Sequence, residues 1–192
     1  MQHLPRADYL VLGRRLAHML GSYLEGTSGD ALRSLARAYD PSASESRITA
    51  EVFLFHKYLL VQACVGVFPD SEINHIVGGL FAALNERASD LEFSSERQKA
   101  MEQVWQLRAE QFDQPFSRDR LQFLDEGSGP IHWKQTILRF CQNVREIEEP
   151  PNIWDGADGP SQAASRAVTA ALDHMVSVLA EMNRLLFSGS ES

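Results

Sequence analysis

Basic residues and cysteines are both scarce in this chain of 192 residues, and each shortage closes a class of function. Lys and Arg number 18 against 26 Asp and Glu, a net charge of -8. A protein that tracks phosphates needs the reverse balance on at least one face, so nucleic acid is not an expected partner. The acidity is uneven: the two signs nearly cancel up to Arg47, and the excess follows it. The two cysteines, Cys64 and Cys141, are too few for a disulfide framework. Both fall in apolar stretches, which suits small buried hydrophobes in a reducing compartment. The N-terminal run MQHLPRADYLVLGRRL has too short an apolar core for a signal peptide, and Arg14 and Arg15 follow it at once. The expected location is the cytoplasm.

Catalytic signatures are missing as well. No HExxH, HxxxH, paired metal-spaced cysteines, Walker A loop, GxSxG elbow or GxGxxG turn occurs. No segment alternates at period two for long enough to make a strand, and no repeat is visible. The expected fold is therefore all-α: a single-domain helical bundle of about six or seven helices over residues 1–187, with a disordered tail at 188–192.

What is present centres on Ile48–Phe68, the most apolar stretch, as the core of a buried helix over about 47–68. Thr49, Glu51, His56, Lys57, Gln62 and Gly66 interrupt it. At about 100° per residue these fall on two thin and roughly opposite seams rather than one polar face. The stretch is long enough to span a bilayer, but a central charge costs about 3 kcal/mol on insertion. A central helix of a soluble bundle is the expected role. Its polar seams are the candidate internal site, with Glu51, His56 and Gln62 as candidate ligand-binding residues. A buried carboxylate such as Glu51 needs an Arg, a hydroxyl or water beside it. His56 reads first as a hydrogen-bonded core histidine and second as a ligand or base.

Other helices are expected at about Ala7–Glu25, Ala31–Tyr39, from Asp70 or Ser71 to about Ser89, and from Ser94 to Pro115, which should end or kink it. A shorter helix with Leu121 and Leu124 follows, then a seam of Trp133, Ile137, Phe140, Cys141, Val144 and Ile147, and a last helix over Ser161–Phe187. In the polar helix from Ser94, Met101, Val104, Trp105, Ala109 and Phe112 are the expected inner side. The helix after Pro69 has an apolar stripe of Ile73, Ile76, Val77, Leu80 and Leu84, and a back made of Gly78, Gly79, Ala82 and Ala83. Glycine in a helix interior costs about 1 kcal/mol against alanine, so two in a row point to a close helix approach, within the chain or from a second copy.

Glu72 and His75 have the i, i+3 spacing of a carboxylate–histidine metal pair, but it occurs once, and di-metal bundles need two such pairs and two further carboxylates. No metal site and no cofactor is expected; the pair reads as solvated or interfacial. Trp154, in the polar loop 148–160, reads as an anchor on the bundle or as an exposed recognition residue. Together these features point to a non-catalytic helical interaction protein, an adaptor, chaperone or immunity/antitoxin-like partner, with self-association into a homodimer as one form of that role. The partner face would be His75, Gly78, Gly79, Ala82, Ala83 and Trp154. A cofactor- or small-molecule-binding bundle with a pocket beside His56 is the alternative, and an enzyme comes third.

Overall fold

The computed structural model describes residues 4–91, 93–117, 129–145 and 160–187, which form seven helices and, among the described residues, no strand. They are α1 (Arg6–Leu24), α2 (Thr27–Tyr39), α3 (Glu45–Val67), α4 (Asp70–Asp90), α5 (Ser95–Ser117), α6 (Gly129–Arg145) and α7 (Pro160–Phe187). The all-α expectation holds. The chain divides into two compact units. The first takes Met1–Ser22, Leu59–Gln103 and Leu172–Ser192; the second takes Tyr23–Tyr58 and Val104–Ala171. Helices α1, α3, α5 and α7 contribute residues to both.

Helix α3 is the apolar stretch, and by length and composition alone it could cross a membrane. However, 67% of its most apolar window is buried inside the protein, the mark of a core helix. Every residue from Leu54 to Leu60 is buried, so no side of that stretch is left for solvent. The helix starts at Glu45 because Ser44 caps it: its Oγ accepts from the Arg47 amide at 3.3 Å. In the same way the Ser94 hydroxyl accepts from the Arg97 amide at the start of α5.

In the second unit, Phe55 of α3 is the hub. Its ring meets Phe112 edge-on at 5.3 Å and Phe140 at 5.5 Å, and Tyr58 also packs on Phe112. Such pairs add about 0.5–1.5 kcal/mol each beyond area burial. Ile48, Val52, Ile137, Val144 and Val168 fill the space around them. The core of the first unit is mostly aliphatic, built on Leu16, Leu20, Leu59, Leu60, Ile76, Leu80, Met175 and Leu179, with Tyr9 and Phe68 buried beside them.

Three details depart from the sequence reading: the start of α2, the cap of α4 and the inner line of α5. Helix α2 begins at Thr27 with Gly26 as N-cap, so Ser28 lies inside the helix, where its hydroxyl is free to bond elsewhere. Helix α4 is entered from Pro69, and neither Asp70 nor Ser71 caps it by side chain. Helix α5 carries on through Pro115 to Ser117. Its inner line is Trp105 and Phe112, whereas Met101 and Val104 are exposed. Polar partners set that rotation: Arg108 must reach Glu51, and Trp105 takes the Lys57 ammonium over its ring at 4.1 Å. The Leu121/Leu124 helix, Ile147, the Trp154 loop and the 188–192 tail lie outside the described residues.

Candidate functional site

The polar seams of α3 enter the second unit, where Glu51, His56 and Lys57 all find partners within the chain. Glu51, 5% exposed, accepts from Arg108 Nε at 3.0 Å and from its Nη2 at 2.7 Å. One edge of the guanidinium, through Nε and Nη2, therefore meets the carboxylate, and Nη1 is held by Gln111 at 2.9 Å. His56 is fully buried. Its Nδ1 is 2.9 Å from the Val52 carbonyl, which can only accept, so Nδ1 carries the proton. That leaves Nε2 as the acceptor for the Ser28 hydroxyl at 3.0 Å. Burial, with Arg33 nearby, pushes the imidazole down to about 4, against the opposing pull of the Val52 bond. A hydroxyl donating to an imidazole is the pairing of a serine nucleophile with its base. Here, though, Ser28 is only 5% exposed, and a histidine this hard to protonate is a weak base at neutral pH. The third seam residue, Gln62, is half-buried in the first unit.

Glycines organise the other site, in the first unit. A methyl on Gly13 of α1 would collide with the Gly79 carbonyl of α4, and one on Gly79 would collide with the Tyr9 carbonyl. The two backbones therefore touch where neither has a side chain, the close approach that paired glycines permit. This answers the question raised by Gly78 and Gly79: the approach is within the chain, and Gly79 alone makes it. The stripe expected as one face is divided. Gly79 and Ala83 face inward with Ile76 and Leu80, while Gly78 is exposed and Ala82 is half-buried. A Cβ on Gly78 would meet nothing within 4 Å.

The same rotation overturns the solvated reading of Glu72. It is 1% exposed and accepts the Tyr9 hydroxyl, whose pKa is raised by burial and then by that bond. His75 is exposed, with its ring 5.1 Å from that of Tyr9. The pair is thus split between interior and surface, although it lies on one helix. Among the described residues no group of three or more His, Cys, Asp or Glu could hold a metal ion.

Between α1 and α4 runs a groove of about 510 Å³. Leu4, Arg6, Tyr9 and Leu10 form one bank. Asn74, His75, Gly78, Gly79 and Ala82 form the other bank and the floor. Four of the six residues expected at a partner face meet here; Ala83 turns inward and Trp154 lies outside the described residues. The bank from α1 was not legible in the sequence, since only the approach of α1 to Gly79 brings Arg6 and Leu10 beside Gly78. The fold and site define a class, an all-α protein with a surface groove floored by glycine. No family model, curated protein or solved structure matches the chain.

Proposed function

We propose that the chain is a non-catalytic helical interaction protein, of the adaptor, chaperone or immunity type, that docks a protein partner in the α1/α4 groove. It would act in the cytoplasm, where Cys64 and Cys141 stay thiols. One observation carries this reading: Gly78 holds open the floor of a groove that none of the described residues fills. A helix-interior glycine costs about 1 kcal/mol, and Gly79 recovers that through its backbone contact whereas Gly78 does not. The buried polar groups support the reading from the other side, because Glu51 and His56 spend their hydrogen bonds on Arg108, Val52 and Ser28.

Gly78→Leu tests it. The new side chain enters open space, so the fold should be kept, with a thermal melt no lower than wild type. Tagged wild-type protein recovered from its native host should carry a stoichiometric protein that Gly78→Leu loses. The same set of proteins on both baits would remove the groove from function.

A further inference from the structure

The chemistry of the groove narrows what it takes. Arg6 is exposed on one bank and makes no ion pair or hydrogen bond among the described residues. Arg14, Arg33, Arg37, Arg108 and Arg184 have carboxylates, whereas the Arg6 guanidinium, like those of Arg15 and Arg87, has none among the described residues. The carboxamide of Asn74, across the groove, is likewise unengaged among the described residues. Between them lie apolar walls, Tyr9 and Leu10, and the bare backbone at Gly78. A guanidinium and an amide donor above an apolar trough complement one arrangement: an apolar side chain with a carboxylate beside it.

The groove is open to solvent along Arg6, Asn74, His75 and Gly78, all exposed. A free small molecule would be left largely uncovered there, whereas well-made small-molecule sites bury most of their ligand. A residue on a protein surface brings its own cover. Building on the docking function proposed above, we infer that the groove receives an apolar side chain flanked by a carboxylate, presented by a segment of a different protein.

The probes are N-acetyl-L-leucine, which has both features, and N-acetyl-L-leucine amide, which lacks the charge, titrated into ¹⁵N-labelled full-length protein. The acid should shift amide signals of residues 6–10 and 74–82, binding about threefold more tightly than the amide, with the difference shrinking as salt is added. Arg6→Gln should make the two probes equal, and Gly78→Leu should abolish both. Equal binding to wild type, or shifts elsewhere, would overturn the carboxylate assignment. If Gly78→Leu nevertheless releases the co-purifying protein, docking stands and only its chemistry falls; if it does not, docking falls too. A wild-type dimer that Gly78→Leu dissolves in sedimentation would replace the different protein by a second copy.

Discussion

The two units solve the same packing problem by opposite means. In the second, α3 carries a carboxylate and an imidazole into the interior, and neighbouring helices supply Arg108 and Ser28 to meet them. In the first, α1 and α4 remove side chains at Gly13 and Gly79 so that backbone meets backbone. A buried polar group must have its partner, so the first solution fixes which residues face each other. A glycine contact demands only closeness, and it makes a neighbouring position such as Gly78 accessible. The candidate site lies beside the second kind of contact.

The largest expected effect comes from breaking the ion pair. Arg108→Ala should cost about 3–5 kcal/mol in urea unfolding because it strands Glu51 in the interior. The double replacement Glu51→Leu with Arg108→Met should recover most of that loss. If the single and double variants lose equally, the pair is not the determinant claimed here.

Acid probes the other buried group. The folded protein protonates His56 only near pH 4, against an ordinary value of 6.5 for the unfolded chain. The unfolded state therefore binds more protons between those values. The stability from keeping His56 neutral is complete above about pH 6.5 and drains away as pH falls, by about 3 kcal/mol in full. Unfolding free energies measured from pH 7 to pH 4 should show this step in wild type and lack it in His56→Gln. Equal slopes would sink the assignment.

The glycines should separate by sign. Gly79→Ala drives a methyl into the Tyr9 carbonyl and should lose about 1–3 kcal/mol, and Gly13→Ala should behave alike. Gly78→Ala, one residue away, should gain about 0.5–1 kcal/mol, the smallest effect of the set. Thermal melts of the two α4 variants decide it; a shared sign would mean that the groove floor is not open.

Much of the architecture was readable because helical periodicity is local. Ile76 and Leu80, or Val168, Met175 and Leu179, declare their faces by spacing alone, and all are buried. A partner for Glu51 was expected on electrostatic grounds, with arginine the natural candidate. That it is Arg108, 57 positions away, no local rule states. Small errors in helix phase had larger consequences. Met101 and Val104 turned outward and Glu72 turned inward, because the deciding contacts were Arg108 to Glu51 and α1 to Gly79.

By itself, then, the sequence determined the helices and the burial of α3, since these follow from residue type and spacing within one or two turns. Only the tertiary structure decided how each helix is rotated, which glycine is spent on packing and which is left at a groove, and that Arg6 stands beside it. Those outcomes depend on which distant backbone comes close enough to collide with a methyl group, and that distance is set between helices, not within them.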